Sequence, residues 1–390
     1  MMVNDVHDKV KAILAESQLS AILAFGPDNV QYLAGAPLPF LPAFPDRAVV
    51  VLWAKGEEPV AICPDLWETT LINLSRVKRT WGYDENPGKP SIVARAVAKL
   101  TEALIPKGSV IGVDLDRISV ALYTELKQAL KEYTLVSCDS GLKELRTVKT
   151  KEELEILEEI AYRVDHAIFG VAHHVLVTSS RSEMSLGEEL RVHSMERELD
   201  VVGHHAISQG ASGDNASLFW PGAPEYGIGF DKKLNEGEFV RMELRGTING
   251  YWSDGTRLLT MGEATPEQKT TYDGLNALRE AAIKAMKPGA KSSDVYKAVK
   301  SESERLSLEL FQGLAVGHGI GVTCYEPPYI SGSDQTTLRI GMVVVLDPVI
   351  RGPDGELLWL KETVIVTDSG CRHVGWYVDW RQPYVANYTL

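Results

Sequence analysis

The sequence predicts two domains, a small α/β domain followed by a larger α+β one. Three observations carry this. At 390 residues the chain is longer than one domain usually is. Over its first third, short apolar runs alternate with helical patterns, as in an α/β unit. Beyond that, long amphipathic helices are interspersed with strand runs, two of them joined by a tight turn.

Asn4 or Asp5 can cap a first helix carrying Val6, Val10, Ile13 and Leu14 on one face. Apolar runs at Ser20–Phe25, Ala48–Trp53 and Ser109–Asp114 read as strands, the last followed by a helical pattern from Ser119 to about Lys131. Thr150-Lys-Glu-Glu153 is a capping box, and Leu154, Leu157, Ile160, Ala161, Val164 and Ile168 follow at helical spacing. This long helix opens the second domain, so the domains are drawn at residues 1–144 and 145–390. Ser185–Glu188 repeats the capping pattern ahead of another helix. Thr265-Pro-Glu-Gln268 adds a proline at the first helical position, where its missing N–H costs nothing. That helix runs to about Met286, and a further one covers about Ser293–Leu306. Glu238–Glu243 and Tyr251–Met261 read as strands turning at Asn249-Gly250, and Met342–Leu346 and Thr363–Thr367 as further strands.

Composition narrows the function classes. The chain is 44% hydrophobic and 24% charged, an ordinary globular balance. A net charge of −13 argues against sequence-independent nucleic-acid binding, which needs a basic surface. No signal-peptide pattern follows Met1-Met2, and no apolar run is long enough to span a membrane. The cysteines Cys63, Cys138, Cys324 and Cys371 form no CxxC pair. The expectation is a cytoplasmic protein with reduced thiols, a small-molecule substrate, and no nucleic-acid or membrane partner.

Four places concentrate ionisable residues in strand-like or glycine-rich surroundings. Glu243 and Asp254 lie on the two arms of the Asn249-Gly250 hairpin, which can bring them to neighbouring positions on one face. In Gly317-His318-Gly319-Ile320-Gly321 the glycines let a backbone turn closely around the imidazole. Asp347-Pro348 ends a very apolar strand, where a carboxylate is costly unless paired. Lys361-Glu362 enters the last strand. Each alone reads as a satisfied surface or turn residue.

Their order and spacing say more. The segment from Asp28 to Gly35, the linker Leu145–Thr150 with Glu152, and Gly250–Arg257 resemble successive motifs of the creatinase/prolidase/methionine aminopeptidase superfamily. So do Gly317–Gly321 followed by Glu326-Pro327-Pro328, then Gly341–Pro348, then Thr363–Thr367. The resemblance spans nearly the whole chain. It implies a pita-bread catalytic domain behind an α/β N-terminal domain, and a homodimer in which Phe40, Phe44 and Trp67 of one subunit can reach the other's pocket.

It also implies a metal site of two Asp, one His and two Glu around two divalent ions. Carried over position by position, Glu243 takes the first Asp place and Asp254 keeps the second. His318 keeps the His place, Asp347 takes the first Glu place, and Lys361 takes the last, or Glu362 if the register shifts by one. An ammonium has only donors and cannot replace a bridging carboxylate. Two peptidase histidines are also replaced, one by Phe219 or Trp220 and one by Tyr325.

These departures set the expectation: a creatinase-like hydrolase cleaving a C–N bond of a small non-peptide molecule, with no cofactor required. His318 acts as general acid or base, oriented by Asp254 or Asp347. Glu243 and Asp254 hold a cationic substrate group, and Lys361 or Tyr325 stabilises an oxyanion. Phe219, Trp220, His205 and Glu326 are the candidate substrate contacts. Adjacent residues on a strand face opposite sides, so at most one of His204 and His205 points into a pocket. A single divalent ion on Asp254, His318 and Asp347 is the alternative for the cofactor. The alternatives for the function are an Xaa-Pro-type metallopeptidase with an altered site, and a non-catalytic pita-bread binding module.

Overall fold

The structure, a computed structural model, describes residues 5–35, 38, 44, 47–84, 89–174, 182–199, 207–213, 216, 231–311, 313–375 and 384–386. The chain forms two compact units. One holds Met1–Arg146 with Thr150–Glu152, and the other holds Thr147–Lys149 with Glu153–Leu390.

The first unit is the expected α/β domain. Its strands β1 (Ala21–Ala24), β2 (Val50–Ala54), β3 (Val60–Pro64), β4 (Arg79–Tyr83), β5 (Val110–Val113) and β6 (Thr134–Ser137) form one sheet in the order β4-β3-β2-β1-β5-β6. The helices are α1 (Val6–Glu16), α2 (Pro27–Ala34), α3 (Glu68–Leu74), α4 (Pro90–Leu104), α5 (Val120–Ala129) and α6 (Asp139–Thr147). Leu23, Leu52, Ile62, Val97 and Ile111 are fully buried between sheet and helices. Asp5 caps α1 by accepting the amide of Asp8 at 3.0 Å, while Ile13 turns outward at 42% exposure and only Val6, Val10 and Leu14 face inward.

The Asp28 motif has a physical role here. Asp28 opens α2, and Gly35 ends it in the left-handed region at φ 63°. The Asp28 carboxylate accepts from Arg146 and Arg117, each at 2.8 Å. Burial alone would raise its pKa, but these guanidiniums hold it below the usual carboxylate range. A carboxyl whose folded-state pKa is depressed contributes stability above its unfolded value, and that contribution is lost as pH falls through the folded value. Asp28→Asn is therefore expected to destabilise the first unit near neutral pH and to make its stability less sensitive to acid. Urea unfolding at about pH 7 and about pH 3 checks this. An unchanged difference between the two pH values would sink it.

The second unit pairs long helices with two sheets. The first sheet has the order β17-β9-β8-β7, from β7 (Ile207–Ser212), β8 (Phe239–Ile248), β9 (Tyr251–Met261) and β17 (Tyr384–Ala386). The second has the order β11-β10-β12-β15-β16, from β10 (Gly317–Gly319), β11 (Glu326–Tyr329), β12 (Val343–Leu346), β15 (Glu362–Thr367) and β16 (Gly370–Val374). A two-stranded ribbon of β13 (Ile350–Arg351) and β14 (Leu357–Leu358) stands apart from both. The helices are α7 (Lys151–His174), α8 (Glu183–Glu196), α9 (Pro266–Ala285) and α10 (Ser292–Arg305).

Most of the predicted punctuation is present. Asn249 and Gly250 take φ values of 51° and 76°, as a two-residue hairpin turn requires. Thr265 and Gln268 complete the capping box of α9. The start of α8 differs from expectation. Its box joins Ser182 to Ser185, so Ser185 is the third helical residue and not the cap. The glycines around His318 also serve another purpose than a turn. Gly317 and Gly319 lie in β10, between two neighbouring strands, where a Cβ would meet Val345 O at 2.7 Å and Pro327 O at 2.3 Å.

The two sheets meet at a few backbone contacts. Trp252 N–H donates to Gly321 O at 2.8 Å, and Thr256 forms a bridge with Lys361. Lys361, one of the predicted site residues, lies at this seam.

Candidate active site

Strand β8 alternates its faces sharply. Val240, Met242 and Leu244 point into an apolar core, while Arg241, Glu243 and Arg245 point to the opposite face, all of them buried. Across the hairpin, Glu243 pairs with Thr256 and Arg245 with Asp254, so Glu243 and Asp254 share that face as diagonal neighbours.

Lys361 stands between the two acids. Its Nζ donates to Glu243 Oε1 at 3.1 Å and to Asp254 Oδ2 at 2.7 Å. Arg245 binds the same pair, contacting Glu243 through Nη2 and Asp254 Oδ2 through Nε at 3.1 Å. Glu362 faces away from this cluster and pairs with Arg279 at 2.7 Å and with His373. Strand alternation thus places Lys361, and not Glu362, with Glu243 and Asp254. The backbone carbonyl of Lys361 accepts from Arg257 at 2.6 Å, and Arg257 is held by Asp165 at 2.6 Å.

His318 sits beside this cluster on β10. Its Nδ1 lies 3.0 Å from Gly319 O, and a carbonyl can only accept, so Nδ1 carries the proton. That leaves the lone pair on Nε2, which is 3.7 Å from Asp347 Oδ2 and makes no hydrogen bond. Tyr325 stacks on the imidazole with ring centres 3.8 Å apart, and its hydroxyl is 3.5 Å from Arg245 Nη2. Cys324 Sγ lies 3.8 Å from Asp254 Oδ2, and burial pushes its thiol pKa up.

Charge in the cluster is sorted by these contacts. Burial opposes ionisation of Asp254, but Arg245 and Lys361 outweigh it and hold the carboxyl well below its usual range. Burial likewise opposes the Lys361 ammonium, and Asp254 and Glu243 keep it charged. Asp347 has no such partner, and burial pushes it up to about 8. Burial, partly opposed by Asp254, pushes His318 down to about 4. Near neutral pH the pair is an unprotonated Nε2 beside a protonated carboxyl, one acceptor and one donor.

Of the predicted site residues, the structure brings Glu243, Asp254, His318, Tyr325, Asp347 and Lys361 together. Glu326, expected at the substrate, is committed elsewhere. It is 2% exposed and accepts from Lys149 at 2.8 Å and from Thr323 at 3.1 Å, anchoring the loop that carries Tyr325. His205, Phe219 and Trp220 lie outside the described residues, as do His204 and Phe40. Phe44 and Trp67 contact each other edge to face at 5.8 Å. Arg245 was not anticipated. The alternation Arg241-x-Glu243-x-Arg245 signals it, because three charges at a period of two share one strand face.

Residues 155–368 match the metallopeptidase family M24, and residues 7–148 match the creatinase/prolidase N-terminal domain. The chain therefore belongs to metallopeptidase family M24, hydrolases acting on C–N bonds. Its fold is the pita-bread fold behind the family's N-terminal domain. A Xaa-Pro dipeptidase of Pyrococcus furiosus is 26% identical over 94% of this chain and 96% of its own length. Among solved structures, an X-Pro aminopeptidase from Thermotoga maritima superimposes with a TM-score of 0.80 at 19% identity, covering 97% of this chain and 99% of that one. The prolidase from Pyrococcus furiosus gives 0.74 at 22% identity, covering 93% and 98%.

Two expectations are corrected by this. Membership in a peptidase family overturns the creatinase-like reading with a non-peptide substrate. Membership in a metallopeptidase family likewise overturns the expectation that no cofactor is required. The residues here nonetheless do not fit a two-ion centre. Glu243 and Asp254 turn their oxygens to Lys361 and Arg245, and among the described residues no three acid, imidazole or thiol side chains are grouped to enclose an ion. The physical cause is the ammonium at position 361, which repels a cation where the family pattern puts a carboxylate.

Proposed function

We propose that the chain is an Xaa-Pro-type peptidase with an altered metal site, cleaving short peptides beside His318. The observation that supports this most is the end-to-end likeness to a Xaa-Pro dipeptidase, together with His318 and Asp254, the residues that the motif resemblance aligns with family ligands, lying within one cluster. His318 manages the proton. With Nδ1–H committed to Gly319 O, Nε2 accepts a proton from the attacking water and returns it to the leaving nitrogen. Asp347, neutral near pH 7, donates a hydrogen bond to the scissile carbonyl oxygen as negative charge develops there, aided by the Tyr325 hydroxyl. Lys361 and Arg245 keep Asp254 ionised and hold both Glu243 and Asp254 in place. Phe219, Trp220 and His205 belong to the substrate side of this proposal, as does a division into domains 1–144 and 145–390.

The same reading takes the protein as a cytoplasmic homodimer acting on a small substrate. Its net charge of −13 and the lack, among the described helices, of one long and apolar enough to cross a membrane accord with that.

A panel of dipeptides, with and without proline at the second position, tests the substrate. Incubated with the purified protein and Mn2+, Xaa-Pro dipeptides are expected to release free proline, read by mass spectrometry, at least about tenfold faster than the others release their second residue. No release above a His318→Ala background would count against the proposal.

A further inference from the structure

The contacts around Lys361 bear on how many ions the site takes up, independently of which peptide is cleaved. We infer that Lys361 and Arg245 stand in place of one ion of the family's pair, so that this chain takes up at most one divalent ion at the site.

Three observations carry this. First, Lys361 Nζ lies within hydrogen-bond distance of both Glu243 and Asp254, at 3.1 and 2.7 Å, the position from which one cation would bridge two acids. Arg245 engages the same two carboxylates from another direction, and all four side chains are 4% exposed or less. A divalent ion bridging the acids would meet a buried, fixed positive charge at contact range, with little water to screen it.

Second, the charges balance without a second ion. Three carboxylates, those of Glu243, Asp254 and Asp347, face the two fixed cations. Counted with all three as carboxylates, the form in which they could bind an ion, the cluster carries one net negative charge. One divalent ion reverses that to one positive charge, whereas a second would leave three uncompensated positive charges in a buried site.

Third, the acceptors left over suffice for no more than one ion. Asp254 Oδ1, His318 Nε2 and Asp347 Oδ1 are buried and make no hydrogen bond, and all three present lone pairs. Lys361 and Arg245 use the other oxygen of Asp254, Oδ2. Buried acceptors in this state are costly, and a single cation drawn among them would relieve the cost.

The test is metal stoichiometry, measured on the full chain by titration calorimetry with Mn2+ and by elemental analysis after desalting. The unaltered protein is expected to hold no more than one tight ion per chain. Lys361→Glu, which places a carboxylate at this position, is expected to hold about one more. Lys361→Gln removes only the charge. It is expected to bind Mn2+ about a hundredfold more tightly than the unaltered protein, and it serves if the glutamate variant fails to fold. Two tightly held ions in the unaltered protein would overturn the inference. So would a Lys361→Glu or Lys361→Gln variant that folds and binds Mn2+ no better. Because these readouts count ions and not turnover, their failure leaves the peptidase proposal standing, and the dipeptide panel tests that separately.

Discussion

Replacing His318 by alanine is expected to lower kcat/KM for an Xaa-Pro dipeptide by about 10²–10⁴-fold, the span that a positioned general acid or base contributes. The size of the loss follows from how alone the imidazole is. Its Nε2 is the unprotonated nitrogen of the ring and makes no hydrogen bond, with an Asp347 oxygen 3.7 Å away. Asp347 is itself pushed up to about 8 by burial, so near neutral pH it has no lone negative charge to offer as a base. The Tyr325 phenol, also raised by burial, cannot take the role either. His318→Gln keeps a hydrogen-bonding group of similar reach and is expected to fall as far, because an amide does not exchange a proton near neutral pH. Circular dichroism separates this from misfolding. Either variant, folded and with undiminished turnover, would remove His318 from the mechanism.

The second large effect is on stability. Lys361→Met is expected to cost about 3–5 kcal/mol, the range for removing one partner from a buried charge network. Glu243 and Asp254 would then share Arg245 alone, in a site from which water is largely excluded. Such a loss is a large fraction of the whole stability of a domain of ordinary size. The double variant Lys361→Met with Glu243→Gln removes one charge of each sign. It should recover part of the loss, with a coupling of about 1–3 kcal/mol in a double-mutant cycle read from urea unfolding. A near-zero coupling would show that Lys361 and Glu243 do not depend on each other.

Much of the scaffold of this site was readable from local chemistry. The Asn249-Gly250 turn fixes the hairpin, and the hairpin fixes Glu243 and Asp254 on a common face. The Thr265 box fixes the start of α9. What escaped the reading came from distance or from an early stop. The strand was read as ending at Glu243, whereas β8 continues to Ile248, so Arg245 fell outside the expected sheet. Lys149 lies 177 positions from Glu326 in the chain, and no local pattern announces that pair. The ambiguity between Lys361 and Glu362 could be settled only by strand register, which backbone pairing across β12 and β15 decides through Leu346 opposite Glu362. The functional expectation is the one overturned. Lys361 in place of a carboxylate, and aromatic residues in place of two histidines at Phe219 or Trp220 and at Tyr325, pointed to a non-peptide substrate, whereas the chain belongs to a peptidase family.

The alternation along β8 has a consequence for assembly of the sheet. A slip of one residue against β9 would carry Arg241, Glu243 and Arg245 into the apolar layer, and Met242 and Leu244 out of it. Each mispaired charge would be stranded without Lys361, Asp254 or its backbone partners, so the wrong pairing is penalised at three alternate positions. The same side chains that arrange charge at the site thereby act as a proofreading device for strand alignment.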